Sequence, residues 1–97
     1  MSKLTIVANF VIKKDKIEPV KNAFLELVEL TRSNDEGCIS YNLHQDNDDQ
    51  TKFTVIEVWA SDALLQKHAN SPHFKHFMVT TKDMVDVFTI NTLTQLA

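Results

Sequence analysis

The hydrophobic pattern changes period twice between Phe53 and Phe77. From Thr51 to Ala60, Phe53, Val55, Glu57 and Trp59 alternate with Thr54, Ile56 and Val58, the two-residue repeat of a strand, so Glu57 and Trp59 share one face. At Ser61 the repeat becomes helical. Asn70-Ser71-Pro72 then stops one short helix and starts another, with Ser71 as N-cap and Pro72 at the first helical position. Phe74, Phe77 and Met78 form an apolar stripe on the second helix and contribute mainly to the core.

Upstream, Leu4 to Ile12 is nearly continuous in Ile, Val and Phe, as expected of a strand covered on both faces. Asn9 interrupts it on the face shared with Thr5, Val7 and Val11, where its amide needs a hydrogen-bond partner or a ligand. Asp15 and Glu18 have the spacing of a capping box, and Pro19 is tolerable in a first turn. The helix so begun carries Ile17, Val20, Phe24, Leu27, Val28 and Thr31 as a single buried stripe. Gly37, the one glycine, is expected to supply a left-handed backbone position where the chain turns. Cys38 to Asp46 is a second strand, with Ile39, Tyr41 and Leu43 opposed to Cys38, Ser40, Asn42 and His44. Asp46 to Gln50 is a hairpin loop without the glycine or distal glutamate of a calcium loop. Val85 to Leu96 alternates again as a fourth strand.

The order strand, helix, strand, strand, helix pair, strand is that of an α+β, ferredoxin-like split βαβ domain with a four-stranded antiparallel sheet. One domain is expected over residues 1–97. Its helices lie on one sheet face, leaving the face of Ile56 and Val58 bare, so a homodimer is expected to cover it. At 97 residues a single core is feasible, and oligomerisation is a natural supplement.

A hydrophobic content of 43% is that of an ordinary globular chain. The net charge of −3, with ten scattered Lys and Arg, disfavours nucleic acid as a partner. Cys38 stands alone and cannot form an internal disulfide, and it lacks a basic neighbour to activate it as a nucleophile. No signal-like N-terminal run or membrane-spanning apolar stretch is evident, so a cytoplasmic protein with no membrane partner is expected.

Candidate chemistry gathers around the single Trp. His68, His73 and His76 invite a metal reading, but Pro72 begins a new helix between the first and the others, so no metal site is expected. His73, in the first turn after the Ser71 cap, is placed to hold backbone or a neighbouring carboxylate. Tyr41 reaches either the cavity beneath the helices or the dimer face, and strand parity leaves both open.

The segments EGCISYNLHQD and FTVIEVWAS and the phrase His68-Ala69-Asn70-Ser71-Pro72-His73-Phe74 resemble the antibiotic biosynthesis monooxygenase superfamily, whose members are small dimeric α+β barrels. The resemblance covers nearly the whole chain. It implies oxygenation of a small phenolic or quinol-type aromatic without flavin, haem or metal. Such a substrate, once deprotonated, reduces dioxygen itself, so the protein need only bind it, take a proton and stabilise the anion. The resemblance points to Asn9, Trp59 and His68 as catalytic, with His68 the proton-transfer group, and matches Glu57 to the family's strand glutamate; Glu57 and, from their places in the pattern, Tyr41, His73, Phe74 and Phe77 are expected to bind substrate. Phe77 occupies the position of the axial histidine in the haem-degrading branch, which disfavours that activity. Two alternatives stand beside the oxygenase: an isomerase of a small carbonyl compound such as a phosphorylated autoinducer sugar, and a non-catalytic binding or stress-response module.

Overall fold

A computed structural model describes residues 3–97. The chain runs β1 (Leu4–Ile12), α1 (Ile17–Asn34), β2 (Cys38–Gln45), β3 (Lys52–Trp59), α2 (Asp62–Ala69), α3 (Pro72–Thr81) and β4 (Val85–Leu93). The strands form one sheet in the order β2-β3-β1-β4, antiparallel throughout. This is the ferredoxin-like α+β arrangement expected from the element order.

The two sheet faces differ sharply. Ile6, Ala8, Phe10 and Ile12 of β1 and Phe53, Val55, Glu57 and Trp59 of β3 are buried beneath the helices. Val20, Phe24, Leu27, Val28 and Thr31 of α1 meet them, the stripe predicted from spacing. Phe24 centres an aromatic cluster, its ring edge-on to Phe10 at 4.9 Å, stacked on Phe53 at 5.6 Å and tilted against Phe77 at 4.7 Å. Such pairs add to the ~1.5–3 kcal/mol gained by burying each ring. On the other face Ile56, Val87 and Leu93 are exposed.

Several local expectations need correction. Asp15 does not cap α1: Lys14–Lys16 form a short 3₁₀ turn, and Lys16 precedes the helix without a side-chain cap. Asp15 is consumed in that turn, so the capping-box spacing is incidental. The fourth strand ends at Leu93 rather than Leu96 because its β1 partners run out at Thr5. In β2 the register shifts between Cys38 and Ser40, so that Cys38 lies opposite Trp59 and Tyr41 opposite Glu57. This bulge breaks the alternation of Ile39 with Tyr41: Ile39 is exposed, whereas Tyr41 is buried. The Ser71 cap forms as expected, accepting from the backbone N–H of Phe74, and Ser61 caps α2 in the same way by accepting from that of Leu64.

Gly37 has φ of +80°, and a Cβ built there would lie 2.3 Å from Leu64 Cδ1 and 2.9 Å from Leu64 Cβ. Both the left-handed backbone and the close approach of α2 require glycine. Gly37→Ala is expected to destabilise the fold by about 2–4 kcal/mol, combining left-handed strain with overpacking against Leu64. Urea unfolding measures this, and an unchanged midpoint would show that the turn tolerates a side chain.

Candidate active site

The pleat of β3 delivers Glu57 and Trp59 to the helix side of the sheet, where Glu57 is 6% exposed and Trp59 fully buried. The indole Nε1–H of Trp59 donates to Glu57 Oε1 at 2.9 Å. Burial pushes the Glu57 carboxyl up to about 7, with the indole hydrogen bond pulling weakly the other way. Across the strand pair, burial and the neighbouring Glu57 raise the Tyr41 phenol well above its ordinary value. Tyr41 therefore stays protonated.

Between sheet and helices lies a cavity of about 40 Å³ whose lining includes Phe10, Tyr41, Glu57, Phe74, Phe77 and Phe88. Glu57 is its one carboxyl group, and no Lys or Arg lines it among the described residues. The volume accommodates a few water-sized guests and is too small for an aromatic ring. Met78, Phe88 and Ile90 also border it and are 42%, 44% and 52% exposed, which marks the α3/β4 side as its mouth.

His68 stands behind this cavity. Its ring packs against Trp59 at 4.8 Å, Phe74 at 5.0 Å and Tyr41 at 5.3 Å. Asp35, in the turn after α1, places Oδ2 2.5 Å from His68 Nδ1 and Oδ1 2.8 Å from His73 Nε2. The first contact is a hydrogen bond; the second has ion-pair distance without hydrogen-bond alignment. Burial lowers the His68 pKa, opposed by Asp35 and reinforced by His73, so the imidazole is neutral at pH 7. On the outer side of this cluster a wider pocket of about 510 Å³ opens between the end of α1 and the α2/α3 junction, lined by Asp35, Leu64, Lys67, His68 and His73 among others.

Of the residues singled out in the sequence, Glu57, Trp59, Tyr41, His68, Phe74 and Phe77 meet around the core, and His73 joins His68 through Asp35. Asn9 does not join them. The alternation of β1 sends it to the opposite sheet face, exposed, where its Oδ1 accepts from Thr54 Oγ1 at 2.7 Å. Asn9 and His68 thus cannot share one cavity within a protomer. A second correction concerns Pro72: the break it makes folds α3 back on α2, bringing His68 and His73 to one carboxylate instead of separating them. Asp35 itself carries no motif, and its only sequence signal is its place two residues before Gly37. Burial, then the charges of Asp35 and Glu57, raises the Cys38 thiol pKa, consistent with an unreactive thiol.

Residues 3–80 match the family model described as antibiotic biosynthesis monooxygenase. The uncharacterised protein sll1783 of Synechocystis is 30% identical over 82 residues, which make up 84% of this chain and 55% of that protein. The chain therefore spans about half the length of that relative. Among solved structures, PA3566 of Pseudomonas aeruginosa superposes with a TM-score of 0.94 at 32% identity, covering 100% of this chain and 97% of the other. A conserved protein of Methanosarcina mazei gives 0.88 at 29% identity, covering 96% and 92%.

The raised Glu57 pKa has a stability consequence. Between the ordinary carboxyl value of 4.5 and about 7 the folded state keeps a proton that the unfolded state releases, so this group's contribution to stability falls as pH rises through that window. Glu57→Gln retains an acceptor for Trp59 and imitates the protonated acid. Its stability relative to wild type should therefore increase between pH 4.5 and 8, by up to about 3 kcal/mol. Paired urea denaturation curves across this range test it, and a pH-independent difference would refute the assignment.

Proposed function

The chain belongs to the antibiotic biosynthesis monooxygenase family, and from that premise we propose that it oxygenates a small hydroxyaromatic of quinol type, with the substrate anion reducing dioxygen. The carrying observation is Glu57: a buried carboxyl, pushed up to about 7, on a cavity otherwise walled mainly by aromatic and aliphatic side chains. A group with that affinity takes a phenolic proton and returns it at neutral pH. Trp59 holds the carboxyl in one orientation through its indole N–H. Deprotonation makes the ring electron-rich enough to give electrons to dioxygen. A hydroquinone then loses two hydrogens, gains one oxygen atom and leaves as a hydroxyquinone, while the second oxygen atom departs with those hydrogens as water. Entry of the ring requires Met78, Phe88 and Ile90 to part at the mouth.

The proton-transfer role expected of His68 passes in this reading to Glu57, which borders the cavity directly. The absence of Lys and Arg among the described lining residues favours a neutral aromatic over the phosphorylated sugar of the isomerase alternative. The oxygen electrode separates an oxygenase from a binding module. With a panel of hydroquinones, hydroxynaphthoquinones and anthrones, wild-type protein should consume oxygen with at least one member. Glu57→Gln should lower turnover by roughly 10²–10⁴ at neutral pH, with partial recovery in alkali where the substrate ionises unaided. No uptake with any compound, or an undiminished variant, would sink the reading.

The proposal includes a homodimer. Val7, Val11, Ile56, Val58, Val87 and Leu93 share the uncovered sheet face, with the Asn9–Thr54 pair set among them. A second copy laid on this face would bury that apolar surface. Sedimentation at micromolar concentration should return twice the chain mass, and a well-folded monomer there would contradict the arrangement.

A further inference from the structure

Glu57 leaves a second group of buried ionisable side chains unexplained. The Asp35 carboxylate, its side chain 8% exposed, faces one imidazole with each oxygen. His68 Nδ1 lies in hydrogen-bond geometry with the carboxylate Oδ2, an arrangement in which the ring nitrogen is the donor and the oxygen accepts. A neutral imidazole has one N–H, and the lone pair therefore lies on Nε2. That atom is buried and has no partner. The ring carrying it is enclosed by Trp59, Tyr41 and Phe74, and the last two also line the Glu57 cavity. A buried acceptor left unsatisfied is unfavourable unless something arrives to donate to it.

We propose that Asp35 is a positioning residue that fixes His68 with its proton on Nδ1, so that Nε2 accepts a hydrogen bond from a hydroxyl group of the substrate. The inference rests on the hydroxyaromatic reading above and deepens it by giving the substrate hydroxyl a second acceptor, adjacent to the Glu57 cavity through Tyr41 and Phe74. His73 Nε2 stands 2.8 Å from the other carboxylate oxygen, on the side of Asp35 away from His68 Nδ1. The same three residues have the composition of a cation site, with ligand atoms within 4.8 Å of one another. However, Asp35 Oδ2 sits along the Nδ1–H donor direction, where a metal bound to that nitrogen would have to lie.

The test uses the whole protein labelled with ¹⁵N-histidine. Long-range proton–nitrogen correlation spectra of wild type above pH 7 should show a pyrrole-like Nδ1 and a pyridine-like Nε2 for His68. Saturation with 2-naphthol should move the Nε2 resonance and leave those of His44 and His76 in place. In Asp35→Asn the amide NH₂ can donate to Nδ1, so the Nε2–H tautomer should appear and kcat with a hydroquinone should fall roughly 10²-fold, with KM changing less. Asp35→Glu should restore part of both. A proton on Nε2 in wild type, no response of His68 to 2-naphthol, or Zn²⁺ displacing the Nδ1 proton at stoichiometric concentration would overturn the proposal, and the first two require no variant to fold. The tautomer and the 2-naphthol shift in a protein that consumes no oxygen would defeat the oxygenase reading while this assignment stood. Oxygen uptake with a proton on His68 Nε2 would defeat this assignment alone.

Discussion

A carboxyl group placed within an aromatic core by the pleat of one strand is the constraint on which this structure turns. Glu57 cannot leave the core without taking Trp59 and Val55 with it, because the three share a strand face. Its hydrogen bond to the Trp59 indole compensates part of the desolvation, and the remainder appears as raised proton affinity. The same burial that makes the residue unfavourable for the fold brings its proton affinity close to neutral pH.

Around that carboxyl the packing is arranged in two shells with different demands. Phe10, Phe24, Phe53 and Phe77 interlock by ring contacts and need only volume and shape. Tyr41, Trp59, His68 and Asp35 carry polar atoms, which must be matched one by one. The anchoring of β2 shows how closely the second group is held: Arg32, from the last turns of α1, donates to the Tyr41 carbonyl at 3.0 Å and to Asn42 Oδ1 at 2.8 Å. Tyr41 is thereby fixed from the backbone as well as by its ring.

Legibility from sequence followed the physics of each element. The β3 alternation was unambiguous because one of its faces carries Glu57 and Trp59, and the helix stripe of α1 because charged residues fill its other side. β1 offered no such contrast. Both its faces are apolar, so the inward or outward direction of Asn9 depended on which face met the helices, a tertiary fact. The parity of Tyr41 was hidden by the bulge at Cys38–Ser40, since one extra residue inverts every assignment on one side of it. Asp35 was invisible for a different reason: its partners lie 33 and 38 residues away, numbers set by the packing of the α1–β2 turn against α2 and α3. A capping signal at Asp15 misled because a 3₁₀ turn satisfies the same local composition.

The strand order carries a consequence for how the chain is made. β1 is synthesised before the other three strands yet lies in the interior of the sheet, paired on one edge with β3 and on the other with β4, whose Leu93 meets Thr5. While ribosomal elongation is still short of β4, β1 presents an open edge of Ile, Val and Phe to whatever else is nearby. Closure waits for the last strand. The nascent polypeptide therefore passes through a stage in which one edge of its most apolar segment is unpaired, and that interval, rather than the finished fold, is when the sheet is most open to wrong pairing.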